Sequence, residues 1–531
     1  MKTLLKVFSA SILALCIVTP ALAKEKEKTN AFKAIKGAIV ADQKLCDEVI
    51  KAAKKGDVEK LGVLREQGYN MDCSTEKDLK TPLMEAALHG KAKAADYLIR
   101  QMGVSLNRLD KKKRTALMYA AEHNKPNVIY VLRNSPGLDI NAEGGIYEVK
   151  LDNQLDTETV HYTALMIAAK KNKKEAVAAL LAKKDPEGKV LRIPPADANI
   201  RDEKGQTALL IALKSGHQDT VLQLIPHTST ENLNAYDKFG QFPLFVAAAE
   251  GREKVVKELL KIPAVKQNVN RVDGTGITNL TPLMAASQFG KKEVVVDLMN
   301  AGANVNAVSG TGRTALLFAV EGNKKDAALL LLQAANINVN VQIDNRVMDK
   351  IHYENDDKKK EMDKQGKTAL MFAAGRGKED LVSTLMSKHA DLNLQDYRDR
   401  TALMHAAAHG KLDVMRLLLQ RKEELSATIN AKDKKDGKTA LILAVEKIHG
   451  KNKTKIVGEL LTVPGIDKDL RDNKGKAAVD HTKKKETVAL LDPSRAAKMS
   501  DTPDVEEEEE IVAPQVPSYH FSGVAASPDN D

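Results

Sequence analysis

An all-α solenoid of helix-turn-helix units is the fold this 531-residue sequence predicts, and three observations predict it. The stretch Thr81-Pro82-Leu83-Met84-Glu85-Ala86-Ala87-Leu88-His89-Gly90 returns as Thr115-Ala116-Leu117-Met118, Thr163-Ala164-Leu165-Met166, Thr207-Ala208-Leu209, Thr281-Pro282-Leu283-Met284, Thr314-Ala315-Leu316, Thr368-Ala369-Leu370-Met371, Thr401-Ala402-Leu403-Met404 and Thr439-Ala440-Leu441, with Phe242-Pro243-Leu244 as a degenerate copy. The copies lie 34 residues apart from Thr81 to Thr115, 35 from Thr207 to Phe242, and 33 from Thr281 to Thr314 and from Thr368 to Thr401. A period near 33 with insertions marks a repeat array. Within a period, apolar residues recur twice at helical spacing.

Residues 281–306 show one unit. Thr281 is placed to N-cap a helix whose first position is Pro282, where a missing N–H costs nothing. Leu283, Met284, Ala286 and Ser287 form its apolar face, and Gly290 ends it. Val294, Val295, Leu298 and Met299 then build a second helix that ends at Gly302, and Ala303-Asn304-Val305-Asn306 leads into a turn. The unit resembles the ankyrin repeat, with its Gly-x-Thr-Pro-Leu-His-x-Ala-Ala, Leu-Leu and Gly-Ala-x-Val-Asn pattern, over roughly residues 46–491. The resemblance implies about twelve units with β-turn fingers, and partners held on turn tips and the exposed side of the first helices. One departure is systematic. The family's His after Leu is Met84, Met118, Met166, Met284, Met371 or Met404, or Leu210, Phe245, Leu317 or Ile442, so apolar contact is expected to replace its hydrogen bonds, with Met as adaptable filler.

The chain divides into residues 1–23, 24–45, 46–498 and 499–531. Lys2 and Lys6, the apolar run from Val7 to Val18 and Ala21-Leu22-Ala23 read as a secretory signal peptide. A lipoprotein cut before Cys16 is disfavoured by the bulky Leu15. Beyond the leader no apolar run is long enough to span a bilayer, so a soluble mature chain is expected. Residues 24–45 read as a charged linker and an amphipathic capping helix at Phe32, Ile35, Ile39 and Val40. The first repeat runs from Asp47 through Ala52, Ala53, Gly56, Leu61 and Leu64 to Gly68, without the Thr-x-Leu start. Lys476-Ala477-Ala478-Val479-Asp480 begins a more polar C-terminal cap, and from Asp501 an acidic, Pro-containing tail reads as disordered.

With Cys16 lost in the leader, Cys46 and Cys73 remain. One falls just before its first helix and the other at the start of the next turn, on the same side of a stacked array, so a disulfide is favoured over two buried thiols. Alternation on either side of residues 152–156 predicts a β-hairpin over 146–162. Val339, Val341 and Ile343 predict a strand at the head of the insertion 340–365, whereas residues 183–196, with Pro186, Pro194 and Pro195, read as a loop.

Basic residues outnumber acidic ones by 82 to 72. The leader takes two Lys and the tail from Asp501 takes nine acidic residues and no Lys or Arg, which leaves the body at +17. That excess favours an acidic protein partner or an anionic envelope surface, and disfavours nucleic acid in an exported chain without a binding motif. No catalytic constellation emerges. Gly366-Lys367-Thr368 and Gly437-Lys438-Thr439 lack the preceding Gly of a phosphate loop, having Glu361 and Lys432 there. No His pair has metal-ligand spacing, and His89, His123, His217 and His409 recur near the end of a first helix. No cofactor is expected, and the chain reads as a monomeric, non-catalytic scaffold of the periplasm or cell envelope if the host is bacterial. The alternatives are a secreted effector that binds a host protein, and an enzyme with a site among the insertions. Tyr236, Phe239, Tyr397 and Arg400 in the turns are expected to touch the partner, since aromatic and Arg side chains dominate interface energy. Phe242, in place of a capping Thr, is expected to pack. Lys112 and Arg114, with Lys111, Lys113, Lys434 and Lys435, are expected to form a basic rim of turn tips that attracts an acidic partner, or the Glu506 to Glu510 block of the tail.

Overall fold

The computed structural model describes residues 43–150, 157–276, 278–344 and 364–499. The leader, the linker with its amphipathic helix, the hairpin tip, the charged part of the 340–365 insertion and the acidic tail lie outside the described residues. The chain falls into two compact units, the first ending at Asn232 and the second beginning at Leu233.

Each unit is an array of paired short helices. The first unit has Val58–Glu66 after a helix through residues 43–55, then the pairs Pro82–Leu88 with Ala92–Met102, Ala116–Glu122 with Pro126–Arg133, Ala164–Lys170 with Lys174–Leu181, and Ala208–Lys214 with Gln218–Leu224. The second unit pairs Pro243–Glu250 with Glu253–Leu260, Pro282–Gln288 with Lys292–Asn300, Ala315–Glu321 with Lys325–Leu331, Ala369–Gly375 with Glu379–Ser387, Ala402–Ala408 with Leu412–Leu419, and Ala440–Lys447 with Gly450–Leu460. A 3-10 turn at Ala478–His481 and the helix Lys485–Leu491 close it. Within a unit, first helices pack on first helices and second on second. Seven-residue helices are marginal alone. Here each is fixed by burial: Leu83, Met84, Ala86 and Ala87 face inward with Ala94, Ala95 and Leu98 of the second helix, and the small alanines let the backbones approach.

Every repeat Thr caps as its position requires. Thr81, Thr115, Thr163, Thr207, Thr281, Thr314, Thr368, Thr401 and Thr439 each accept the backbone N–H three residues on. The Met that replaces the family's His is buried, as its expected filler role requires. It also does something apolar contact alone would not: the Sδ of Met84, Met118, Met284 and Met371 accepts the backbone N–H of the capping Thr at 3.4–3.5 Å, closing a capping box with a thioether.

Between repeats runs a second ladder. Asn270 Oδ1 accepts from Asn304 N and its Nδ2 donates to the carbonyl of Gly302; Asn306 repeats this with Asn338 and Asn336, and Asn430 with Asp467 and Gly465. These amides satisfy turn backbone that no helix reaches.

The insertions differ in kind. Strands β1 (Gly144–Lys150) and β2 (Thr157–Tyr162) form an antiparallel two-stranded sheet, the hairpin expected from the alternation. It abuts the preceding finger, where Gly145 N donates to Lys113 O at 2.9 Å; a Cβ on Gly144 would stand 1.9 Å from that oxygen, so only Gly fits. The strand expected at Val339, Val341 and Ile343 is absent: residues 341–344 have no regular structure. Val339 and Ile343 are buried singly, and the Ile343 backbone exchanges hydrogen bonds with Lys367 and Gly366, so alternation there reflects turn packing. The loop at 183–196 lies over Arg133, which is fully buried and donates to the carbonyls of Ala179 and Ile193.

Cys46 and Cys73 are bonded, with Cα atoms 5.8 Å apart. Cys46 lies inside the helix through 43–55 rather than just before one, because that helix begins upstream of the repeat's own start. The bond ties this helix to the turn after Val58–Glu66.

Candidate interaction surface

The fingers are built on a buried carboxylate five residues ahead of the capping position. Asp110 Oδ1 accepts from the backbone N–H of Lys112 and Arg114 at 2.8 and 2.7 Å. Asp202, Asp237, Asp396 and Asp472 hold their turns the same way, and the hydroxyl of Ser309 substitutes for the carboxylate in one finger. Asp433, six residues ahead of Thr439, accepts from Asp436 and Lys438. An Asp in a polar stretch reads as exposed, so these anchors escape a reading centred on Thr; their offset of five residues, six at Asp433, is the signal that finds them.

At Asp110, Asp396 and Asp472 the second oxygen is satisfied from the helix that follows. Tyr119 Oη donates to Asp110 Oδ2 at 2.6 Å, and the Nε2 atoms of His405 and His481 donate to Asp396 and Asp472 at 2.8 and 3.0 Å. Burial and then the bond to Asp110 push the Tyr119 hydroxyl pKa well up. Burial pushes His405 down to about 4 against the pull of Asp396, so the ring is neutral and the bond is a hydrogen bond rather than an ion pair. Burial raises the Asp396 carboxyl, but the donors from His405, Arg400 and Arg398 outweigh it and hold the group below its ordinary range.

On this scaffold the expected contact residues divide. Arg400 is spent internally: its guanidinium is half-buried and binds Asp433 Oδ2 at 2.7 and 3.2 Å, bracing the next finger. Tyr236 is half-buried, donates to Val272 O at 2.8 Å, meets Phe242 edge-on and lies under Arg271. Phe242 is buried against Tyr236 and Phe245, as expected for a packing residue. Arg114 is held by Asp110, Glu122 and the Tyr119 ring. Phe239 and Tyr397 remain 46% and 51% exposed at their tips, and Lys112 is exposed. The fingers of Phe239 and Tyr397 are separated by those at Asp273, Ser309 and Gly366, so these rings do not form one patch. On the expected basic rim, Lys434 is paired with Asp399 at 3.0 Å and donates to Tyr397 O.

Three of the four His residues near helix ends serve the backbone. His89 and His409 bond the carbonyls of Glu85 and His405, and His217, which begins a second helix rather than ending a first, reaches Lys170 O. Among the described residues no helix is long and apolar enough to cross a membrane.

The family described as Ankyrin repeats (3 copies) matches residues 49–144, 165–273, 262–343, 344–433 and 370–472. Among curated relatives, Neurogenic locus notch homolog protein 1 of Xenopus tropicalis is 34% identical over 137 residues, 26% of this chain, and that of Homo sapiens is 32% identical over 135 residues, 25% of this chain. Each match spans only 5% of the relative's own length. The crystal structure of the human ASB11 ankyrin repeat domain matches with 22% identity and a TM-score of 0.34, over 47% of this chain and 97% of that one. Since the family match covers well over half of the sequence, in the register of the Thr-capped helices and Asp-anchored fingers, the chain belongs to the ankyrin repeat family.

Proposed function

We propose that this chain is a non-catalytic scaffold that holds protein partners on its finger tips and works in the periplasm or cell envelope. The observation that carries the reading is the presentation of Tyr397 and Phe239: each large ring stands about half exposed on a turn whose backbone is clamped by a buried Asp. A ring held out on a rigid turn loses little entropy on binding, which is the condition for an interface anchor. Lys112, on a finger fixed in the same way by Asp110, adds a cation suited to an acidic partner. Export is supported by the leader-like residues 1–23 and by the Cys46 to Cys73 bond, which an oxidising compartment permits. The same reading takes residues 24–45 as linker and cap, 46–498 as the repeat body and 499–531 as an acidic tail.

The test is affinity capture from envelope extract with the wild type and a Phe239→Ala, Tyr397→Ala, Lys112→Ala triple variant. Loss of the same captured partner by the variant is expected. Undiminished capture would remove the finger assignment, and recovery of the chain from culture fluid rather than the periplasmic fraction would favour the secreted effector.

A further inference from the structure

The two edges of the first unit differ in charge. Each first helix begins at its finger and ends at the loop to its paired helix, so the seven residues of Pro82–Leu88, about 10 Å long, separate a finger edge from a loop edge. The fingers at residues 72–80, 107–114, 139–144 and 197–206 hold nine acidic residues and nine Lys or Arg. The loops at 54–57, 89–93, 122–125, 170–175 and 214–219 hold ten Lys and four acidic residues. In the second unit the loops at 250–254, 289–293, 322–326, 376–380 and 409–413 hold nine Lys or Arg against seven acidic residues, and only the loop at 447–453 is as basic.

Contacts join these five loops into one continuous edge. A Cβ on Gly56 would stand 3.0 Å from Lys91 Cδ and one on Gly90 2.7 Å from Lys125 Cδ, so each of these two Lys stems lies on the loop before it. Asn124 accepts from Ala176 N at 3.0 Å and donates to Glu175 at 2.6 Å, and Thr220 donates to Asn172 at 2.9 Å. Packed helices stand roughly 8–10 Å apart, so five loops make an edge roughly 35 Å long.

The acids beside this edge do not neutralise it. Glu85 is held by Lys80 and His89, Asp96 by Arg100, Glu122 by Arg114, Glu175 by Asn124 and Asp219 by Lys174. Asp57 accepts from Lys60 N, and Glu59 is exposed in the same turn, so the charge is most diluted at that end. Lys54, Lys91, Lys93, Lys125, Lys171 and Lys173 make no ion pair among the described residues. Lys125 and Lys173 come from successive repeats, yet their charges converge: after burial, and against the pull of Glu122, both lower the pKa of His123. Like charges held together in this way raise the potential of the edge.

Composition along the edge selects the partner. Its loops contain no Arg, no Phe, Tyr or Trp, and no apolar side chain larger than Ala. Protein interfaces are anchored by aromatic and Arg side chains and are poor in Lys, and single-stranded nucleic acid needs rings on which its bases stack. A lipid surface asks only for several cations within a Debye length of its headgroups, which compact Lys ammonium groups supply. We propose that the loop edge of the first unit rests on an anionic phospholipid surface, with the finger edge directed away from the bilayer. The proposal goes beyond the finger assignment and does not depend on it.

The test is sedimentation of the full chain with vesicles of equimolar phosphatidylglycerol and phosphatidylcholine, against vesicles of phosphatidylcholine alone. At about 0.1 M salt the wild type should prefer the anionic vesicles about a hundredfold or more, and the preference should vanish at about 1 M, where the Debye length falls to about 3 Å. K54Q/K93Q/K171Q/K173Q spares the packed stems of Lys91 and Lys125 and should lose nearly all of the preference, since each cation near the surface is worth about fivefold. K54R/K93R/K171R/K173R should keep it, and so should the finger variant K111Q/K112Q/K113Q. Equal partition of the wild type onto both vesicles, or an undiminished preference in the Gln loop variant, would overturn the proposal. So would equal loss in the loop and finger variants, which leaves net charge without a preferred edge. Binding of soluble polyglutamate with no partition onto anionic vesicles would also overturn it, and would give the edge to an acidic peptide.

Discussion

His405 donates from Nε2 to Asp396 Oδ2 at 2.8 Å, across the same nine residues that separate Tyr119 from Asp110. Two chemistries thus fill one structural role, but only the imidazole has an ordinary pKa near neutrality. Burial holds His405 down to about 4, with Lys367 and Arg400 nearby opposing its protonation and Asp396 favouring it. In the unfolded chain the ring titrates near 6.5, so between those values the unfolded state binds more protons. Stability therefore falls as pH drops from about 6.5 to about 4, by about 3 kcal/mol at most from this group. His405→Tyr should remove that portion of the slope, and chemical denaturation at several pH values should show it. An unchanged slope would mean that other groups set the acid sensitivity.

Asp202 shows what happens when the donor is missing. Its Oδ2 is buried with no hydrogen-bond partner, because position 211, nine residues on, is Ile rather than Tyr or His. Burial, the largest influence, raises its carboxyl pKa. Ile211→His should supply the donor, stabilise the first unit by about 1 kcal/mol and bring the carboxyl pKa down. A lower melting temperature would show that the space at Ile211 does not admit the ring.

The helices and caps were legible because Thr, Leu and Gly carry them at fixed offsets, and a helix cap needs only local geometry. Which polar residue turns inward was not. Asp396 and Asp399 lie in one turn, yet Asp396 is buried as the anchor while Asp399 meets Lys434 near the surface. Tyr236 and Phe239 are three residues apart, and the turn places the first against Phe242 and the second at the tip. Arg133, in a last helical turn, looks like an exposed dipole partner; it is buried because the helix Lys174–Leu181 and the loop 183–196 take its guanidinium on the carbonyls of Ala179 and Ile193. These outcomes depend on contacts between repeats, which spacing within a repeat does not encode.

The Cys46 to Cys73 bond closes a separation of 27 residues. In the chain-entropy account a loop of that size contributes about 3–4 kcal/mol. Reduction should therefore loosen hydrogen-exchange protection in Val58–Glu66 and the helix through 43–55 while leaving the second unit unchanged. Immediate alkylation of both thiols in protein taken from an oxidising compartment would exclude the bond in the working molecule.

The thioether cap can be isolated because the chain contains its own control. Met284 and Met404 occupy the same position after Thr281 and Thr401, and both are buried. Sδ of Met284 accepts the Thr281 N–H at 3.4 Å, whereas Met404 contributes only its backbone N–H to the Thr401 hydroxyl. Met→Leu conserves volume and costs under about 1.5 kcal/mol through packing alone. Met284→Leu should therefore cost more than Met404→Leu, by about 0.5 kcal/mol for loss of a weak acceptor from a buried donor. Thr281→Ala, which removes the cap itself, should cost about 1 kcal/mol, and Leu283→Ala, a fully buried truncation beside it, about 2–5 kcal/mol. Equal costs for the two Met substitutions in urea titrations would reduce the sulfur to a space-filler and leave the Thr hydroxyl as the whole of the cap.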